Sequence, residues 1–155
     1  MNNILVRKFG GTSVKNKEAI VNVVNIIKKS EKNQVVVVSA LSGITNLLVS
    51  CIENIKKRNI EQTINNLEQV RNTHKQLTTE LNLENYAVDY VDNTIDELIK
   101  ITYALDIIGE ISNKSQDKIL SIGELLSSFI ISEYAKKKIG IVKYINSSEI
   151  IKTDS

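Results

Sequence analysis

The chain has 155 residues, 42% of them apolar, enough to build one hydrophobic core and a single domain over residues 1–155. Its 20 Lys and Arg stand against 18 Asp and Glu, a net charge of +2 that is spread along the chain rather than gathered in a patch, which speaks against a nucleic-acid partner. One cysteine excludes an intrachain disulfide, and no apolar run approaches the roughly 20 residues of a membrane-spanning helix. The start, Met1 to Gly11, has no signal-peptide core, so the expectation is a soluble cytoplasmic protein with no membrane partner. The counts of 24 Ile, 17 Asn and 17 Lys match the codon bias of an A+T-rich genome, which accounts for the lysine excess.

In chain order, Ile4-Leu5-Val6 predicts a strand that stops at Lys8-Phe9-Gly10-Gly11-Thr12-Ser13. Ile20, Val23, Val24 and Ile27 then fall at helical spacing, with Lys28, Lys29 and Lys32 where cations suit the helix dipole. Val35-Val36-Val37-Val38 predicts a second strand, apolar on both faces and therefore expected in the middle of a parallel sheet covered on both sides. The turn Ser39-Ala40-Leu41-Ser42-Gly43 leads to another helix, marked by Leu48, Cys51, Ile52 and Ile55. Strand alternating with helix predicts an α/β fold with right-handed crossovers.

From about Ile60 to Gly109 two helical stripes follow, Leu67-Val70-His74-Leu77-Leu81 and Val91-Ile95-Leu98-Leu105. They predict an inserted helical hairpin turning near Asn82 to Asn85. Ile122, Leu125, Leu126 and Phe129 mark a further helix ending at Lys136-Lys137-Lys138, with Gly140 at its C′ position. Ile141 to Ile145 predicts a third strand whose free apolar edge would leave the isolated chain marginally stable or self-associating.

Three segments carry the chemistry. Lys8 to Ser13 lies at a strand-to-helix turn, where backbone N–H groups face an anion; Gly10 and Gly11 let the backbone approach a phosphate, Lys8 adds a cation, and Thr12 and Ser13 add hydroxyls. The spacing is not that of a Walker A loop. A plain tight turn, with glycines at positive φ and Ser13 as helix cap, fits these residues equally well. Ser39 to Asn46 repeats this architecture after the second strand, and in a parallel sheet the two loops face one crevice. Helix capping by Ser42 and Asn46 is the simpler account of it.

In the third segment Gly123-Glu124 interrupts the apolar stretch from Ile119 to Phe129. A helix-interior glycine costs about 0.5–1 kcal/mol relative to alanine. It signals either close packing or a carboxylate facing a ligand, with an exposed glutamate the plainer alternative. His74 and Cys51 lie on core stripes and are read as structural, and no protein ligand set for a metal is assigned.

Lys8-Phe9-Gly10-Gly11-Thr12-Ser13, Ser39-Ala40-Leu41-Ser42-Gly43-Ile44-Thr45-Asn46-Leu47-Leu48 and Ser121-Ile122-Gly123-Glu124-Leu125-Leu126-Ser127, in this order, resemble the aspartate kinase family of the amino-acid kinase superfamily. The resemblance implies a parallel-sheet αβα sandwich and transfer of the ATP γ-phosphoryl group to the β-carboxylate of L-aspartate, with Mg²⁺ accompanying ATP. By position, Lys8 is the catalytic cation, and Gly10, Gly11, Thr12 and Ser13 join it in holding phosphate. Ser39 and Thr45 contact aspartate, and Glu124 holds its α-ammonium. It covers the N-terminal, acceptor-binding half of such a kinase. Beyond Thr153-Asp154 the family continues into a substrate-gripping arginine, the nucleotide-binding half with a second catalytic lysine and aspartate, and ACT domains. The expected partners are therefore aspartate, ATP, and a complementary kinase half or a second copy. A related carboxylate kinase acting on another amino acid, and a non-catalytic module docking on an intact kinase subunit, are the alternatives.

Overall fold

The computed structural model describes residues 4–151. Two strands, β1 (Leu5–Phe9) and β2 (Gln34–Val38), pair in parallel from Leu5 opposite Gln34 to Phe9 opposite Val38. Between them runs α1 (Lys17–Lys28), whose first turn is capped by Asn16: its side chain accepts the Ala19 N–H at 3.0 Å. There follow α2 (Ile44–Lys56), α3 (Ile60–Glu80), α4 (Asn85–Ile108), α5 (Asn113–Ile139) and the one-turn α6 (Ser147–Ile150). The architecture is α/β: a parallel strand pair with a predominantly helical remainder.

Burial alternates along both strands. Leu5, Arg7, Phe9, Gln34, Val36 and Val38 turn inward, whereas Val6, Lys8, Val35 and Val37 are exposed. Gln34, on the inward side, donates to Ile27 O at the end of α1 (2.9 Å) and accepts from Arg7 Nε (2.7 Å). Val35 and Val37 remain 49% and 47% exposed, so the expected covering of β2 on both faces is corrected to one face among the described residues. A β-branched run favours a strand on either face. It cannot report how many helical layers lie against it.

The expected third strand is also corrected: Ile141–Ile145 forms no ladder. Gly140 closes α5 at φ 96°, and the chain beyond it lies across a cleft from β2. Its alternation survives, with Val142 and Tyr144 turned inward and Ile141 and Ile145 outward. What they meet is a helix: Tyr144 packs edge-on against Phe129 of α5, ring centres 5.7 Å apart. Period-two burial therefore arises here from packing on a helix, and among the described residues the unpaired ladder edges are the outer edges of β1 and β2 rather than one at Ile141–Ile145.

The helices α3 and α4 are joined by a short turn at 81–84 and clamped by charge. Arg71, its side chain 12% exposed, donates to Glu68 (3.0 Å), to Asp92 Oδ1 (3.0 Å) and to Asp96 Oδ1 (2.6 Å), while Lys75 reaches Asp92 Oδ2 at 2.7 Å. Burial alone would raise the Asp92 carboxyl, but Lys75 and Arg71 outweigh it and hold the group below its ordinary range.

Helix α5 is buried over most of its circumference, with Ile119, Ile122, Leu126, Phe129, Ile130 and Ile131 all in the core. It packs against α1, α2, α3, α4 and β2, which makes it the shared wall of the molecule.

His74, on α3, is fully buried; its Nδ1–H donates to Val70 O at 2.7 Å, and Nε2 has no partner among the described residues. Burial pushes its pKa down from 6.5 to about 4, the Val70 bond opposing this only in part. Below pH 6.5 the unfolded chain thus binds a proton that the folded chain refuses. Stability is expected to fall as pH drops from 6.5 towards 4, by at most about 1.4 kcal/mol per pH unit. Because the chain has one histidine, urea midpoints measured between pH 6.5 and 5 isolate the effect, and His74→Leu should flatten that slope.

Candidate functional site

The three chemically suggestive segments, far apart in the chain, meet at the C-terminal end of the strand pair. The parallel ladder runs one step past the strands, Ser39 N–H donating to Phe9 O at 3.1 Å, so the loop after β2 leaves beside the loop after β1. They touch at Gly11: a Cβ there would stand 3.1 Å from Ala40 O. Neither Gly10, at φ −78°, nor Gly11 is among the residues of positive φ. This settles one alternative left open by the sequence, since the pair is not a turn requiring left-handed backbone; what the loop uses at Gly11 is the missing side chain. Residues Gly11–Val14 form a 3-10 turn, and Asn16 rather than Ser13 caps α1.

The second loop ends at Gly43, the N-cap of α2, with no side-chain capping bond. Ser42 and Asn46 therefore do not serve the helix as caps. Thr45 and Asn46 are exposed in its first turn, where backbone N–H groups lack helical acceptors.

The third segment comes in on α5. A Cβ at Gly123 would lie 2.8 Å from the Ala40 methyl, 3.3 Å from Ile44 and 3.4 Å from Leu48, so only glycine allows the helix this close to the loop and to α2. One residue on, exposed Glu124 accepts the Ala40 N–H at 3.3 Å. Close packing and a carboxylate at the crevice thus occur together rather than as alternatives. One turn further, buried Ser127 donates to Ser39 O at 2.8 Å. Ser127 and Ala40 received no role from the sequence. For Ser127 the signal was a small polar residue on an otherwise apolar helix face, at i+4 from a glycine.

Lys8, Thr12, Ser13 and Thr45 are exposed, Ser39 and the two glycines partly so. Lys8 precedes the last residue of β1 on the open sheet face, opposite Val37, with no ion pair among the described residues. The assembled groups divide by charge. Lys8, the loop N–H groups and the hydroxyls suit an anion, whereas Glu124 suits a cation such as an ammonium. No cluster of three or more His, Cys, Asp or Glu able to hold a metal occurs among the described residues. Cys51 is buried with its thiol pushed up to about 11 by burial, and Asn66 only partly offsets this, so it is no nucleophile. No helix among the described residues is long and apolar enough to cross a membrane.

The profile of the amino acid kinase family matches residues 3–152. The chain belongs to the amino acid kinase family. Aspartokinase of Chlamydia muridarum is 32% identical over 151 residues, which cover 97% of this chain and 32% of that protein. Lysine-sensitive aspartokinase 3 of Escherichia coli is 25% identical over 99% of this chain and 33% of its own length. This member of the family therefore spans about a third of the length of these two relatives. Crystalline E. coli aspartokinase III, in complex with aspartate and ADP, superposes with a TM-score of 0.77 at 27% identity, over 88% of this chain and 29% of that one.

The contact at Gly123 has a measurable consequence. In an unobstructed helix Gly→Ala would gain up to about 1 kcal/mol, but here the added methyl must displace Ala40. Gly123→Ala is expected to destabilise the chain by about 1–3 kcal/mol, read as a lower urea midpoint at unchanged m-value.

Proposed function

We propose that this chain is the acceptor-binding part of an aspartokinase, which transfers the γ-phosphoryl group of ATP to the β-carboxylate of L-aspartate and forms 4-phospho-L-aspartate. The observation that carries this is the convergence of the three segments, with the Glu124 carboxylate against the Ala40 N–H, N–H groups on the adjoining loops and the Lys8 cation near the end of β1. Aspartate is a zwitterion with an extra carboxylate, and the division of charge matches it. Glu124 takes the α-ammonium, Ser39 and Thr45 hold the carboxylate end, and the first loop meets the incoming phosphate.

Phosphoryl transfer asks mainly for positioning and charge stabilisation. Lys8 offsets charge on the phosphoryl group in flight, and Gly10, Gly11, Thr12 and Ser13 donate to its oxygens. Mg²⁺, when present, shields the ATP phosphates. The described residues do not form a cage for it, so no step here is assigned to it. In this proposal residues 1–155 form one acceptor domain of an αβα sandwich in which α3 and α4 are an inserted hairpin. The exposed side of Val35 and Val37 receives the complementary nucleotide-binding half. The similarity to an aspartokinase crystallised with aspartate and ADP supports this assignment.

Calorimetric titration of the 155-residue chain with L-aspartate, L-glutamate and Mg-ATP tests it. Aspartate should bind, more tightly than glutamate, and Glu124→Ala should weaken it at least about tenfold, as expected for loss of a charged hydrogen bond. A folded chain that does not bind aspartate overturns the proposal, whether or not it binds ATP.

A further inference from the structure

One peptide group at the site is gripped at both ends by the same helix. The carbonyl of Ser39 accepts from Ser127 Oγ at 2.8 Å, and the N–H of Ala40, in the same peptide plane, donates to Glu124 Oε1 at 3.3 Å. Carbonyl and N–H of a trans peptide point in opposite directions, so fixing one end fixes the other. The two gripping residues are one turn apart on α5, and Gly123 beside them admits the loop to contact distance.

We propose that Ser127 is a positioning residue of this site. Its hydroxyl sets the Ser39–Ala40 peptide plane so that the Ala40 N–H holds the Glu124 carboxylate, and the Ser39 side chain with it, in binding geometry. Ser127 is fully buried, and a buried hydroxyl must find an acceptor. Its own helix offers one, Glu124 O at 3.2 Å, yet the shorter bond crosses to the loop. Glu124, by contrast, is exposed. A long exposed carboxylate samples many rotamers unless a donor holds it, and the Ala40 N–H is that donor. Ser127 thus acts on the ligand through the peptide and touches no substrate. The ligand named here rests on the acceptor function proposed above, whereas the peptide clamp is measurable without it.

The test compares the whole chain with Ser127→Ala, Glu124→Gln and, as control, Ser128→Ala, which loses only a hydroxyl bonded to Leu125 O. The Ala40 amide proton is followed by NMR and L-aspartate affinity by calorimetry. Glu124→Gln should move the Ala40 resonance upfield, and Ser127→Ala should move it the same way and weaken aspartate binding about tenfold, the worth of one positioning hydrogen bond. Ser128→Ala should change neither. Ser127→Ala that leaves either the Ala40 resonance or the affinity at its wild-type value overturns the proposal. Absence of aspartate binding in the wild type overturns the acceptor function instead, and the Ala40 resonance then decides the clamp alone.

Discussion

The close approach of Gly123 to Ala40 is the constraint on which the site depends. Helix α5 is the wall shared by the other long helices, and it reaches the end of the strand pair only because position 123 carries no side chain. Moving that contact outward by the width of a methyl would lengthen the bond from Glu124 to the Ala40 N–H, already 3.3 Å, past the limit of a useful hydrogen bond. A destabilising residue in a helix interior is thereby offset by packing that no other residue permits. Gly11 plays the same part from the other side, against Ala40 O, so the loop after β2 is held between two glycines on two different elements.

The molecule separates this precise region from a sturdier support. The α3–α4 pair is tied by Arg71, Lys75, Glu68, Asp92 and Asp96 and carries the buried His74, all away from the strand ends. Arg71 is largely enclosed, so its pairs are screened less than surface ones and act as one network rather than as separate bridges. The site residues have the opposite character. Lys8, Thr12, Ser13, Thr45 and Glu124 are exposed, and in the proposed function they offer charge and hydrogen bonds to a ligand, while the backbone of the two loops is held by close contacts at Ala40.

The phosphoryl transfer proposed for this chain suits such a division, because it needs charges placed in advance more than a reactive side chain. The only thiol is buried and held protonated, and the only imidazole is enclosed and neutral, so neither competes for a chemical role. One face of β2, carrying Val35 and Val37, is about half exposed among the described residues.

Much of this was legible from local pattern. Apolar residues at three- and four-residue spacing located every long helix, since that spacing is the helix's own geometry, and the Val35–Val38 run located β2. The glycines and hydroxyls after each strand marked the loops that converge, because parallel strands deliver their following loops to the same end. Tertiary structure alone decided the rest. Ile141–Ile145 has the alternation of a strand but joins no ladder among the described residues, and its Tyr144 packs on Phe129 of α5. Four consecutive valines could not reveal that one of their faces lies bare. The contacts that Gly123 and Ser127 make were hidden because their partners, Ala40 and Ser39, lie more than 80 residues away in the chain. Periodicity reports which way a residue faces along its own element; what it meets there is set by contacts through space, which no local pattern encodes.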